Sequence, residues 1–208
     1  MNKPIIMLGN GGHASVLTEI LLSQNRNIIG FTSPKKEENQ FGIPYLGNDE
    51  MILKYDSKEV ELVLGIGSVC VNDFRRKIFE LFINEDYTFV NVIHPSAILA
   101  PSVKLGQGVQ IMAGAIIQTN TTIDDNTIVN TGSKIDHDCE IGAHVHLAPG
   151  TTLSGGVKIG NGTHVGTGAS IIQNIRIGNN CLVGAGAVVI HDINHDVKAV
   201  GVPAKEVR

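Results

Sequence analysis

Asp136-His137-Asp138 sets an imidazole between two carboxylates. Histidine titrates nearest neutrality among ordinary side chains, so it is the group best suited to take a proton at physiological pH. A neighbouring carboxylate bonded to one ring nitrogen fixes the tautomer and raises the basicity of the other. The triplet therefore points to general-base chemistry at His137, against the plainer reading of a solvated histidine on a polar turn. Cys139 lies two residues on, but it falls in a series of small inward residues, so packing explains it better than a Cys–His pair. His146 and His164 are eighteen apart in the sequence. No third ligand is fixed beside them, so no metal site is expected, and lining a cofactor groove suits them better.

A second constellation lies near the N-terminus. Gly9-x-Gly11-x-x-Ala14 follows the apolar run Pro4–Leu8 and precedes a helical pattern through Val16, Leu17, Ile20 and Leu21. Backbone N–H groups in such a turn can hold a phosphate at a helix N-terminus. The acid that would bind an NAD ribose after the second strand is missing, and Thr32 and Ser33 stand there. A nucleotide other than NAD is expected.

The elements that carry this turn alternate. Ile28–Phe31, Val60–Ile66 and Phe89–Ile93 read as strands, and Asp73–Phe82 as a helix with Phe74, Ile78 and Leu81 on one face. Pro34–Asn39 is polar and reads as a mobile loop. The alternation implies a small parallel sheet with ligand sites at the strand carboxyl ends.

A different pattern positions His137. Steps of six from Leu105 to Val189 meet fifteen aliphatic residues in succession, and the positions four further on are mostly small or β-branched. A period of six fits neither an amphipathic helix nor a hairpin array. It marks a parallel β-helix. Three hexads close one coil of eighteen residues, coils stack about 4.8 Å apart, and each aliphatic residue packs inside on the one eighteen away. The same arithmetic places Gly155 above His137 and Thr119 below it. A cleft over the imidazole, floored by backbone N–H, suits an oxyanion site beside a base.

Composition narrows the function classes. The net charge is −4 and no Lys/Arg run exceeds two residues, which argues against nucleic acid or an anionic membrane surface as partner. No apolar run reaches the length of a membrane span, and Met1–Asn10 lacks the layout of a signal peptide. Cys70, Cys139 and Cys181 form no CxxC pair, so a reduced, cytoplasmic location is expected.

The repeat resembles the hexapeptide acyltransferase family. That likeness implies a left-handed β-helix, where the general rule for parallel crossovers would give a right-handed one. The whole chain resembles one branch of the family, which includes sialic acid O-acetyltransferase-like proteins and the UDP-N-acetylbacillosamine and perosamine N-acetyltransferases. The likeness rests on Gly11-Gly12-His13, Ile93-His94-Pro95-Ser96-Ala97, Asn130-Thr131-Gly132, Asp136-His137-Asp138 and Gly201-Val202-Pro203-Ala204-Lys205. It implies a Rossmann-like nucleotide-sugar-binding domain over residues 1–92, a left-handed β-helix acetyltransferase domain over 93–208, and a homotrimer with acetyl-CoA between neighbouring prisms. It also implies that His137 is the catalytic base and Asp138 its supporting acid. His146, Gly155, Thr167 and Ala185 fall on coenzyme positions. Gly11, Gly12, His13 and Gly67 fall on nucleotide-sugar positions, with Thr32 and Ser33 where the family often has acids and Ser68 where it has Asn.

The expected activity is transfer of acetyl from acetyl-CoA to the amino group of a nucleotide-linked amino-deoxy sugar of the UDP-4-amino type, in surface glycan synthesis. The alternatives are O-acetylation of a sugar such as sialic acid, and a non-catalytic trimeric scaffold that binds nucleotide sugars.

Overall fold

The computed structural model describes residues 3–68 and 73–207. Cys70 lies outside the described residues. The chain forms two compact units, one of residues 3–67 and 74–92 and the other running from residue 93 onward.

The first unit is a parallel sheet of β1 (Ile5–Leu8), β2 (Ile28–Thr32), β3 (Tyr45–Gly47) and β4 (Glu61–Leu64), in the order β3-β2-β1-β4. The strand order reverses beside β1, which opens a crevice at its carboxyl end. There the chain turns through Gly9 and Gly11 into α1 (Gly12–Ser23). All four residues of β1 are buried, as expected of a parallel strand covered on both faces.

Sequence patterning missed β3. It is three residues long, too short to display a period, and Pro44 before it reads as a loop residue. It is nevertheless paired: the Phe31 N–H donates to the Pro44 carbonyl (2.9 Å) and the Ser33 N–H to the Gly47 carbonyl (3.1 Å). A Cβ on Gly30 would lie 2.3 Å from Leu46 Cγ, so glycine in β2 is what lets this edge strand dock.

The second helix, α2 (Phe74–Asn84), forms where expected but buries a different face. Arg75, Ile78, Phe79 and Phe82 are buried, whereas Phe74 is 59% and Leu81 53% exposed. Two ring pairs decide the rotation. Phe79 stacks on Phe89 with centroids 4.5 Å apart, and Phe82 meets Tyr87 edge-on at 5.6 Å. The expected strand Phe89–Ile93 is broken into a single bridge at Phe89 and the short strand Val92–Ile93.

The second unit is the expected parallel β-helix. Short strands, nearly all of two residues and parallel, build the three faces of a prism: the first holds Ile128–Val129 and His146–Leu147, the second Lys134–Ile135 and Thr152–Leu153, the third Glu140–Ile141 and Lys158–Ile159. The register advances by eighteen residues per coil: Ile128 pairs with His146, Lys134 with Thr152, and Glu140 with Lys158. The aliphatic series from Ile111 to Val189 is buried in one continuous core. The small residues at the corners are buried too, and their polar atoms are satisfied by the next coil. Thr121 donates to the Asp136 carbonyl (3.0 Å), Thr127 to Gly142 (2.8 Å) and Thr163 to Gly178 (2.7 Å). Buried hydroxyls placed this way tie coils together without leaving an unpaired donor. The regular period ends near the C-terminus, where Ile177 bridges to Ile193, sixteen residues on.

Candidate active site

His137 occupies the corner between the second and third prism faces, between the strands Lys134–Ile135 and Glu140–Ile141. The corner is a tight turn whose third residue must have positive φ. Asn120, Asp138, Gly156 and Asn174 fill that place in successive coils, Asp138 at φ +58°. Glycine and asparagine are the usual occupants of such a position, so an aspartate there gives up some backbone ease for its carboxylate.

That carboxylate is used. His137 Nδ1 is 2.7 Å from Asp138 Oδ2, with side chains 55% and 56% exposed. The His137 N–H donates to Asp136 Oδ1 (2.8 Å). The two flanking acids thus have different tasks: Asp136 shapes the turn and Asp138 grips the ring. The bond to Asp138, and then the charge of Asp136, raise the His137 pKa above that of a free imidazole. With Nδ1 held by the acid, Nε2 is the nitrogen free to accept a proton. On its other oxygen Asp138 accepts from Asn120 Nδ2 (3.1 Å), and these bonds hold its pKa below the ordinary carboxylate value.

Gly155 lies over the ring as register arithmetic predicts. A Cβ built on it would be 2.6 Å from His137 Cε1 and 2.7 Å from Nε2. Its φ is not in the left-handed region, whereas Gly156 is at φ +70°. Gly155 is therefore required for space and Gly156 for conformation. The Gly155 N–H has no acceptor among the described residues. Cys139 is the inward residue expected: its thiol is buried, bonds the Ser154 carbonyl (3.4 Å), and is pushed up to about 11, mainly by burial.

The corner is flanked on both sides. A groove of about 740 Å³ runs along the third face from Asn120 and Asp138 past Glu140, Lys158 and Arg176. A smaller hollow of about 320 Å³ on the second face is lined by Lys134, Asp136 and Ser154. The other expected coenzyme residues stand elsewhere on the prism. His146 lies on the first face, paired in register with His164, their rings edge-to-face with centroids 4.8 Å apart. Asn130 Nδ2 is 3.1 Å from His146 Nε2. Burial lowers the His164 pKa. Thr167 and Ala185 are exposed on the corner between the first and second faces. One prism thus brings His137, Asp138 and Gly155 together, and leaves Thr167 and Ala185 on a different corner. No group of three or more metal-ligating side chains occurs among the described residues.

In the first unit, a Cβ on Gly11 or Gly12 would meet nothing within 4 Å. Packing of the chain does not demand these glycines, as expected where a ligand approaches the backbone. The α1 N-terminus carries no side-chain cap and no acid in its first turn, an arrangement that suits an anion. Gly67 is close by, since a Cβ there would be 3.3 Å from His13 Cβ. Thr32 and Ser33 are buried and their hydroxyls are engaged, Thr32 on Asp49 Oδ1 (2.6 Å) and Ser33 on the Lys35 carbonyl. The polar segment after β2 is tied down: Asn10 Nδ2 donates to Glu37 Oε2 (3.1 Å), and Asn39 Nδ2 to Asn10 Oδ1 (2.7 Å).

Two contributors escaped the sequence reading. Arg75 is buried and donates to the Leu64 (2.9 Å) and Ile66 carbonyls, fixing the strand end that leads to Gly67. Burial lowers its pKa to about 9. No sequence signal marks an arginine for burial. Asn120 was within reach of arithmetic, because 120 plus eighteen is 138.

Comparison with known proteins bears on both units. Residues 4–82 match the PglD N-terminal domain family, and residues 102–137, 120–155 and 156–191 match the bacterial transferase hexapeptide (six repeats) family. Among solved structures, PerB from Caulobacter crescentus in complex with CoA and GDP-perosamine is 36% identical, with a TM-score of 0.91 over 100% of this chain and 99% of that one. A histidine-to-asparagine mutant of perosamine N-acetyltransferase from the same organism, also with CoA and GDP-perosamine, is 35% identical over 100% of this chain and 98% of that one, at a TM-score of 0.91. The acetyltransferase domain of PglB from Neisseria gonorrhoeae in complex with acetyl coenzyme A is 31% identical over 100% of both chains, at a TM-score of 0.92.

Proposed function

We infer the function from what the chain is: it belongs to the hexapeptide-repeat nucleotide-sugar N-acetyltransferases with a PglD-type N-terminal domain, its prism is a left-handed β-helix, and it moves acetyl from acetyl-CoA to the amino group of a nucleotide-linked amino sugar.

We propose that His137 is the general base. The observation that carries this is the His137–Asp138 contact of 2.7 Å with a side-chain-free position directly above the ring. The amine attacks the thioester carbonyl, the new C–N bond forms, and the carbonyl electrons move onto oxygen. The Gly155 N–H stabilises that oxyanion. Collapse breaks the C–S bond, and the proton that Nε2 took from the amine passes to the departing thiolate. Asp138 holds the imidazole and stabilises its protonated form. No covalent enzyme intermediate and no metal takes part.

We assign nucleotide-sugar binding to residues 1–92, with the phosphates at Gly11, Gly12 and His13, Gly67 alongside, and Thr32 and Ser33 at the neighbouring strand end. Acetyl transfer falls to residues 93–208. His146, Gly155, Thr167 and Ala185 would contact the coenzyme. Because Thr167 and Ala185 stand on a different corner from Gly155, one coenzyme touching all of them needs two prisms, which supports a homotrimer with active sites between subunits. No described helix is long and apolar enough to cross a membrane, and we place the enzyme in the cytoplasm, in surface glycan synthesis.

The test is release of CoA thiol with a panel of UDP- and GDP-linked amino sugars. One member of the panel should support turnover that His137→Ala removes. Equal thiol release with and without every amino sugar would refute the reading.

A further inference from the structure

Beyond the base and its acid, a third member of the array stands one coil away. Ser102, Asn120 and Asp138 are spaced by eighteen residues and stack along the catalytic corner. The Asn120 N–H donates to Ser102 Oγ (2.9 Å), and Ser102 Oγ is 2.8 Å from Thr119 Oγ1. Asn120 Nδ2 then donates to Asp138 Oδ1 (3.1 Å), while Asp138 Oδ2 holds His137 Nδ1 (2.7 Å). The chain Ser102–Asn120–Asp138–His137 thus crosses three coils.

We propose that Asn120 is a positioning residue for acetyl transfer: it locks the Asp138 carboxylate with one oxygen turned to His137. This rests on the assignment of His137 as base. The physical need is plain. Asp138 is more than half exposed, and an exposed carboxylate with a single partner rotates and exchanges that partner for water. A second donor on its other oxygen removes this freedom. Asn120 is itself fixed, by the Ser102 bond and by a backbone at φ +59°.

The groups around the ring are few. Asp136 and Asp138 share its turn. The stacked positions Thr119 and Gly155 carry no charge. The adjoining strands bring Lys134 and Glu140, and Glu140 is ion-paired with Lys158 at 2.6 Å. The Cys139 thiol is buried beneath the turn. Asn120 reaches the ring only through Asp138, so its removal acts on orientation.

Two substitutions of opposite sign test this. Asn120→Gly deletes the amide and suits the left-handed backbone, so the fold survives. Asn120→Asp sets a second carboxylate against Asp138. The His137 imidazole is titrated by NMR in the free protein, without substrate. Asn120→Gly should lower its pKa toward the free-histidine value, and Asn120→Asp should raise it. In steady-state assays Asn120→Gly should lose about tenfold in kcat, part of what the base supplies, with KM for both substrates unchanged and the acid limb moved to lower pH. An unchanged His137 titration in Asn120→Gly overturns the proposal, whatever the added charge does in Asn120→Asp. A shifted titration in a protein that acetylates no amino sugar upholds Asn120 as the residue that orients Asp138 and instead removes the functional reading.

Discussion

His137, the proposed base, is exposed, and this sets what its substitution should show. His137→Ala should reduce turnover about 10²–10⁴-fold and leave the melting temperature almost unchanged, since the side chain is 55% exposed. A mutant with near-parental turnover would remove His137 from the mechanism. The sign of the pH dependence follows from its raised pKa. A base must be neutral to act, so activity should fall as pH drops through a value above 6.5, the ordinary value. Asp138→Asn removes the main cause of the rise and should move that limb down. A limb that stays in place would mean another group sets it. Gly155→Val makes a sharper case. Position 155 has no left-handed φ to strain, but its Cβ would collide with the ring at 2.6 Å. Activity should collapse while the protein still melts near the parental temperature. Full turnover in this mutant would show that neither the cleft nor its N–H is used.

At the scale of elements, corner hydroxyls add hydrogen bonds between coils to what the aliphatic stack contributes. Thr127 Oγ1 donates to the Gly142 carbonyl (2.8 Å) and accepts from the Val145 N–H (3.1 Å), inside the prism. Thr127→Val keeps the volume and strands both backbone groups, at a cost of about 1–3 kcal/mol. Denaturant unfolding with an unchanged midpoint would contradict this. Legibility differed between the two units for a physical reason. In the β-helix one residue type recurs in one place, so arithmetic alone puts Gly155 over His137. In the N-terminal sheet nothing recurs. The edge strand Tyr45–Gly47 is held by Gly30 and two backbone bonds, and the rotation of α2 is decided by Phe89 and Tyr87, which lie outside the helix. Pattern reading sees neither. The latch of Glu37 and Asn39 onto Asn10 is likewise a long-range contact, and polarity alone suggested a mobile loop.

At the scale of the whole molecule, successive coils supply the layers of the His137 corner, and the N-terminal unit separately carries a glycine turn at an uncapped helix start. The corner that holds His137 is not the corner that holds Thr167 and Ala185, so the protein should be active as a trimer. Light scattering at micromolar concentration should give three chains per particle, and a fully active monomer would contradict the shared site. In the proposed reaction acetyl goes from acetyl-CoA to an amine, with His137 taking the proton. The most direct measurement is the mass and lability of the product formed from acetyl-CoA and UDP- or GDP-linked 4-amino sugars. The product should be heavier by one acetyl group, stable to alkaline hydroxylamine as an amide is, and formed about 10²–10⁴-fold more slowly with His137→Ala. An acetyl group released by hydroxylamine as an ester, or a product that forms equally well without His137, would contradict it.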